Sequence, residues 1–282
     1  MSVTASTSGA STARKPIAIL SYHQVAKPPK RGTPVRSLVL PRWRFALQML
    51  ALRRLGWRGL SLRDLEPYLR GERHGNVFGI TLDDGYLNNL ENALPVLVET
   101  GFTATLNVVT QRIGGRNVWD EGVGAPQVPL MDLSHLKAWL AADMDIGAHT
   151  RRHVDLSRCD AETARDEISG SKQDLERLLG IEVRSFCYPY GEHRAEHATM
   201  ARAAGYHWAT TIVSSRVRAD DDPLRMPRIS VHLYDSIPLT LLQVTTDFED
   251  WRMGRPGRRM LPNSRWAQAA HAAAAQTEPS VL

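Results

Sequence analysis

The chain has 282 residues, 43% of them hydrophobic, which is enough for one large α/β domain with a sizeable core or for two small ones. Its formal net charge is +5, but the basic residues are spread along the chain instead of forming a block, so the electrostatic case for nucleic-acid binding is weak. The two cysteines, Cys159 and Cys187, are too few for a thiolate metal cluster or a disulfide framework.

The two ends of the chain differ in composition from its middle. Residues 1–15 are rich in serine, threonine and alanine and are predicted to form a disordered lead, whereas residues 251–282 form a basic and then alanine-rich extension. Residues 16–250 are predicted to form one packed domain. The first residues lack the apolar core of a signal peptide and no later stretch is long enough to span a bilayer, so we expect a cytoplasmic protein without a membrane span.

Short apolar runs alternate with longer amphipathic runs through the middle of the chain. Helical spacing predicts helices over Phe45–Leu55, ended by Gly56, and over Asp160–Leu179, ended by Gly180. Strands alternating with helices predict a mainly parallel sheet in one barrel-like or doubly wound domain. The runs predicted to be buried strands are, in chain order, IAILSY, VFGITL, TATLNVV, MDIGAH, VRSFCY and WATTIV.

Polar residues of catalytic type follow four of these predicted strands. His23 follows the first, Asp83 and Asp84 the second, His149 the fourth, and Tyr190 comes soon after the fifth. Parallel α/β folds carry their functional sites at the carboxyl ends of the strands. These side chains are therefore expected to meet at one edge of the sheet.

The segment HTRRH places His149 and His153 four residues apart, so both imidazoles could face one way if the segment turns helically. Two imidazoles and one carboxylate make a three-ligand site for a divalent metal, with positions left for water and substrate. Position 150 is threonine, not the glutamate that serves as general base in the helical zinc-protease motif. The adjacent Asp83 and Asp84 meet that need, since one can bind the metal while the other takes a proton from water.

The motifs TLDDGY, HTRRH and FCYPYG, in this order, resemble the first three motifs of the polysaccharide deacetylases, the NodB-homology or carbohydrate esterase family 4 enzymes. The resemblance implies a single-domain, NodB-like, distorted (β/α) barrel with fewer than eight strands. It also implies that Asp83 is the general base, that Asp84, His149 and His153 bind the metal, and that the Tyr190 backbone amide binds the oxyanion. Removal of acetyl groups from N-acetylated sugars is the activity it implies.

The sequence departs from the family pattern at two points. Cys187 stands where the family usually has an arginine that orients the base, so the orienting group here is unidentified. The general acid, a late histidine in most members, would be His232. The segment ILSYH resembles instead the corresponding segment of a circularly permuted branch, which includes the poly-N-acetylglucosamine deacetylases, and this favours His23 as the acid.

Aromatic residues near these motifs are candidates for lining a sugar groove, namely Trp119 with Asp120, and Tyr190 with Trp208, although core packing explains Trp208 equally well. The expected function is a metal-dependent N-deacetylase of N-acetylglucosamine units, with Zn²⁺ as the expected ion and Co²⁺ or Ni²⁺ also accepted by such a site. Two alternatives stay open: a deacylase of a small sugar-containing metabolite or lipid-linked sugar, and a carbohydrate-binding pseudoenzyme.

Overall fold

A computed structural model describes residues 14–252 of the chain. The predicted packed domain, residues 16–250, falls within this range. The predicted lead before residue 14 and the predicted extension after residue 252 lie outside the described residues.

The strands include all six that the sequence predicts. In chain order they are β1 Ile19–Tyr22, β2 Gln24–Val25, β3 Val39–Leu40, β4 Arg58–Leu60, β5 Val77–Leu82, β6 Thr105–Val108, β7 Asp145–Ala148, β8 Ser185–Cys187, β9 Trp208–Thr210 and β10 Ile229–Ser230.

One curled, all-parallel sheet organises the domain. Within residues 14–252, seven strands follow one another in the order β10, β1, β5, β6, β7, β8, β9, while β4 pairs beside the first half of β5 and β2 pairs with β3 separately. The edge strands β9 and β10 do not pair directly, but Met226 exchanges backbone hydrogen bonds with Ala209 and Thr211 across the gap. This is the predicted distorted (β/α) barrel.

Helices cover the outside of the sheet. The long helix begins after Asp160, whose side chain accepts the Thr163 N–H at 2.7 Å, and ends at Gly180 with a φ of 67°, as the sequence predicts. The first helix begins one turn earlier than predicted, because the Pro41 carbonyl accepts the N–H groups of Arg44 and Phe45. The helices are α1 Arg42–Arg54, α2 Leu62–Leu69, α3 Leu94–Thr100, α4 Leu133–Ala141, α5 Ala161–Leu179, α6 Ala195–Ala203, α7 Ile237–Thr245 and α8 Phe248–Arg252.

Apolar side chains from the strands and the inner helix faces form the core. Strand β5 is buried along its whole length, as expected for a parallel strand covered on both faces. Across residues 14–252, the helices are all too short or too polar to cross a lipid bilayer. Since all strands of the sheet run the same way, their carboxyl ends lie at one rim of the barrel.

Candidate metal centre and active site

The rim at the carboxyl ends of the strands holds the predicted metal ligands. Asp84 follows β5 and His149 follows β7, while His153 lies four residues further on. Asp84 Oδ1 lies 3.4 Å from His149 Nε2 and 3.2 Å from His153 Nε2. All three side chains are buried, and one ligand atom from each can be chosen so that the three lie within 4.8 Å of one another.

This donor set fits a divalent cation. Asp84 Oδ1 is buried and accepts no hydrogen bond from any residue in the range 14–252. A buried carboxylate oxygen without a donor is costly, and a cation bound between it and the two imidazoles would remove that cost. Two nitrogens and one oxygen are the ligands of many catalytic zinc sites.

The outer nitrogens of both imidazoles also have partners. His149 Nδ1 donates to the Cys187 carbonyl oxygen at 2.7 Å, and His153 Nδ1 lies 3.2 Å from the Tyr190 hydroxyl. Such contacts fix the ring orientation and leave Nε2 free to face the carboxylate. Burial lowers the pKa of His153 despite the nearby Asp84 carboxylate.

The backbone between the two histidines is not helical, so the helical turn that would bring them together does not form. Thr150 and His153 instead adopt left-handed conformations with φ of 63° and 64°. Asp84 and Tyr190 are also left-handed, at 76° and 58°. Left-handed backbone is uncommon for residues other than glycine and tends to cluster at functional sites.

Asp83 is held by its own set of donors. Its Oδ1 accepts hydrogen bonds from Arg228 Nη1 at 2.8 Å and from Asn107 Nδ2 at 2.7 Å, and its Oδ2 lies 3.4 Å from Ser21 Oγ. Burial alone would raise the pKa of Asp83, but the Arg228 guanidinium holds it below its usual range. Asp83 is therefore ionised at neutral pH.

Arg228 is a residue that the sequence analysis missed. Its side chain is 1% exposed, and Nη1, which donates to Asp83, also donates to Thr81 Oγ1 at 2.9 Å. Its Nε donates to the Thr211 carbonyl at 3.0 Å and its Nη2 to Cys187 Sγ at 3.1 Å. A second possible ligand set, Asp83 with His149 and Cys187, is also compact. Because Arg228 already neutralises Asp83 and contacts Cys187, the set containing Asp84 is the better cation site.

Two histidines lie at the ends of the neighbouring strands β1 and β10. His23 follows Tyr22, whose backbone carbonyl accepts the Asp83 N–H at 2.9 Å, so His23 lies beside the two aspartates. Burial lowers the pKa of His23, an effect that the Asp84 and Asp83 carboxylates oppose. The backbone N–H of His232 donates to Asp235 Oδ2 at 2.7 Å, and its Nδ1 lies 3.7 Å from the same oxygen. His23 and His232, the two candidates for the general acid, therefore both lie at the carboxyl ends of the paired strands β1 and β10.

Comparison with known proteins identifies this arrangement. The family model described as polysaccharide deacetylase matches residues 70–209, a range that contains Asp83, Asp84, His149, His153 and Tyr190. The chain carries a polysaccharide deacetylase domain.

Individual relatives are distant in sequence from this deacetylase. YxkH of Bacillus subtilis, whose name places it among the polysaccharide deacetylases, is 24% identical over 215 residues, which cover 76% of this chain and 70% of YxkH. The structure of the Streptococcus pyogenes deacetylase PplD in complex with acetate has a TM-score of 0.71 at 21% identity and covers 82% of this chain and 99% of PplD. The structure of IcaB from Ammonifex degensii has a TM-score of 0.68 at 24% identity and covers 82% of this chain and 97% of IcaB. These structures share the fold.

The segment Val118–Val123 places two of the four predicted groove residues, Trp119 and Asp120, beside the predicted metal ligands. The Trp119 ring stacks on the His153 ring, with 4.4 Å between centroids and 21° between planes. Asp120 is buried and accepts a hydrogen bond from Asn117 Nδ2 at 3.1 Å. Burial and, secondarily, the Asp84 carboxylate raise the pKa of Asp120 to about 7.

Trp208, another predicted groove residue, does not lie with them. It begins the short strand β9 and packs in a separate apolar cluster with Ile17, Leu65, Leu69 and Val77. Ile17 and Val77 are at or before the amino ends of their strands, so this cluster lies at the opposite end of the barrel from the deacetylase site. Core packing, the alternative interpretation, describes Trp208.

Proposed function

We propose that this protein is a metal-dependent N-deacetylase that hydrolyses the acetamide of N-acetylated amino sugars, with N-acetylglucosamine units as the expected substrate. The observation that carries the proposal is that the adjacent carboxylates of Asp84 and Asp83 have different partners. Asp84 faces two imidazoles, whereas Asp83 is ion-paired with Arg228 and hydrogen-bonded to Asn107. The deacetylase family and the PplD complex with acetate support the same reaction class.

Asp84, His149 and His153 would hold the cation, and Zn²⁺ is the ion we expect, with Co²⁺ or Ni²⁺ as working substitutes. A divalent ion held there supplies Lewis acidity, which polarises an acetyl carbonyl and makes water a better nucleophile near neutral pH. The buried position of the three ligands strengthens this electrostatic effect, because water screens it poorly there.

Asp83 is proposed as the general base. Two donors fix its Oδ1, whereas its Oδ2 lies 3.4 Å from Ser21 Oγ. Oδ2 is the oxygen proposed to take a proton from the attacking water. The Arg228 ion pair keeps the carboxylate ionised and correctly oriented before reaction. General-base catalysis of this kind contributes on the order of 10² to 10⁴ in rate.

His23 is proposed as the general acid that protonates the leaving amine, and the Tyr190 backbone amide as a donor to the developing oxyanion. Loss of one such donor typically costs about 2.7 to 4 kcal/mol of barrier. The products are acetate and a free amino sugar. His232 is the competing acid, and alanine variants of each histidine would separate them by which one removes the alkaline side of the pH profile.

The alternative of a carbohydrate-binding pseudoenzyme rests on Cys187, because the arginine that usually stands at this position orients the base. Arg228 weakens that alternative, because its guanidinium contacts both Cys187 Sγ and Asp83. The small-substrate alternative is tested by chain length, since a polymer enzyme gains rate as sugar units are added. A cytoplasmic location stays a prediction from the sequence.

Acetate release from N-acetylglucosamine oligomers of one to six units tests the proposal, with protein stripped by chelator and then supplied with Zn²⁺ or Co²⁺. Asp83→Asn should abolish turnover while keeping metal affinity, and the neighbouring Asp84→Asn should lose both. If the metal-loaded protein releases no acetate from any N-acetylated sugar, the proposed function is wrong.

A further inference from the structure

The loop between the two imidazole ligands is held from behind by one buried carboxylate. Glu167 Oε2 accepts the backbone N–H of Arg151 at 2.8 Å and that of Arg152 at 3.0 Å. The same carboxylate pairs with the Arg152 guanidinium through Oε1, and the Glu167 side chain is fully buried within α5. One side chain thus fixes two consecutive peptide groups that lie between His149 and His153.

The backbone on both sides of these peptide groups needs such support. Thr150 and His153 are left-handed, a conformation disfavoured for residues with a Cβ atom. Thr150 Oγ1 donates to the His149 carbonyl and accepts the His153 N–H at 3.0 Å, which closes the loop on itself. Unusual backbone of this kind persists only where the surroundings specify it strongly.

Helix α5 also holds the Arg151 side chain. Arg151 Nε donates to Asp174 Oδ2 at 2.9 Å, and its Nη1 donates to Asp166 Oδ1 at 2.7 Å. Gly170 lies between these acidic residues, and a Cβ atom there would come within 2.4 Å of the Arg151 guanidinium. The helix face is therefore shaped to receive the loop.

We propose that Glu167 is a positioning residue that sets the separation and direction of the His149 and His153 rings. It does not reach the cation or the substrate; it acts through the peptide groups of Arg151 and Arg152. This inference rests on the proposed metal-dependent function. A buried carboxylate that accepts two neighbouring N–H groups fixes their orientation more firmly than water could, and outer residues that orient metal ligands commonly govern metal affinity.

The test compares Co²⁺ dissociation constants and visible absorption spectra of the full chain and two variants. Glu167→Gln keeps the shape of the side chain but loses its charge and one acceptor oxygen, and we expect Co²⁺ affinity to fall about 10- to 100-fold with an altered spectrum. Asp166→Asn is the matched control: it lies one residue away on α5 and accepts a hydrogen bond from the Arg151 side chain instead of from the loop backbone, so its affinity should stay within about twofold of the parent.

Equal affinity for the parent and Glu167→Gln would overturn the inference, as would an equal loss in Asp166→Asn. Should Glu167→Gln fail to fold, Glu167→Asp keeps the charge but shortens the side chain by one methylene group, which withdraws the carboxylate from the Arg151 and Arg152 N–H groups. Its Co²⁺ affinity should fall severalfold, and an unchanged value overturns the inference. If the parent protein itself binds no Co²⁺, the proposed function fails, which is distinguishable from a parent that binds and variants that bind equally well.

Discussion

Arg228 Nη1 lies 2.8 Å from Asp83 Oδ1, across 145 residues of sequence, and both side chains are almost completely buried. The pair forms because β10, which follows Arg228, lies beside β1, and β1 lies beside β5, which ends just before Asp83. A buried ion pair is costly to break from one side, since the remaining charge has no partner. Arg228 therefore controls both the stability of this rim and the state of the proposed base.

Arg228→Lys should reduce kcat about 10- to 100-fold while Co²⁺ affinity stays near that of the parent. Lysine keeps the charge but cannot contact Asp83, Thr81, Thr211 and Cys187 together as the guanidinium does. Steady-state kinetics and Co²⁺ titration measure the two effects. Arg216→Lys is the control, because that buried arginine pairs with Asp250, and kcat should be retained. Full kcat in Arg228→Lys would contradict the assigned role.

Gly147→Ala should lower kcat about tenfold. An added Cβ atom would come within 2.4 Å of Asn107 Oδ1 and 2.5 Å of Ser185 Oγ, which would displace the second donor to Asp83. Overpacking of this kind costs about 1 to 3 kcal/mol of stability. Gly59→Ala overpacks β4 against Ile80 and Phe102 instead, so it should lose stability but keep kcat. A parallel loss of kcat in both variants would show that the effect is not specific to Asn107.

Trp119→Ala should raise KM for N-acetylglucosamine oligomers about tenfold, and Trp119→Phe should restore part of the loss. The ring stacks on His153 and is partly exposed, so it can offer a face to a sugar at the entrance of the site. Kinetics on a soluble oligomer measure the change. Trp43→Ala removes an exposed tryptophan from α1 and should leave KM as it is. An unaltered KM in Trp119→Ala would remove Trp119 from the proposed groove.

The variant Asp145→Asn should change the pH dependence of stability. Burial raises the pKa of Asp145 to about 6, despite the hydrogen bond from Thr105 Oγ1. A carboxyl with a raised pKa favours the folded state fully below its unfolded pKa, and that contribution is lost as the pH rises through 6. The neutral asparagine should therefore increase the free energy of unfolding by about 1 to 2 kcal/mol more at pH 8 than at pH 5.

Urea denaturation at the two pH values measures this difference. Asp143→Asn is the control. It removes the same charge, but from an exposed carboxylate that lies two residues before Asp145. An Asp145→Asn gain that is equal at pH 5 and pH 8 would be inconsistent with the raised pKa.

The positions of the proposed ligands could be predicted from sequence because parallel strands end at the same rim. Asp84 and His149 each follow a strongly apolar run, so a strand prediction alone brings them near one another. The order of the motifs then gave the family, and the comparisons confirm it. The sequence therefore predicts best those residues that follow strongly apolar strands.

The remaining features depend on long-range packing. Arg228 precedes a two-residue strand, and no local pattern indicates that its guanidinium would be buried against Asp83. Trp208 lies in the apolar cluster at the other end of the barrel because it begins the three-residue strand β9, a position that the apolar run alone does not define. The left-handed Thr150 could not be predicted either, since its conformation depends on contacts with α5 and not on its own preference.

The position of β1 between β5 and β10 has a consequence for how the protein gains its activity during synthesis. By the time Tyr190 leaves the ribosome, the nascent chain already contains every side chain that we assign to cation capture. Arg228, whose guanidinium orients the proposed base, is synthesised almost forty residues later. It precedes β10, which pairs with β1 on the side away from β5. The ability to cut an amide should therefore arise only once β10 has paired with β1 and brought Arg228 against Asp83.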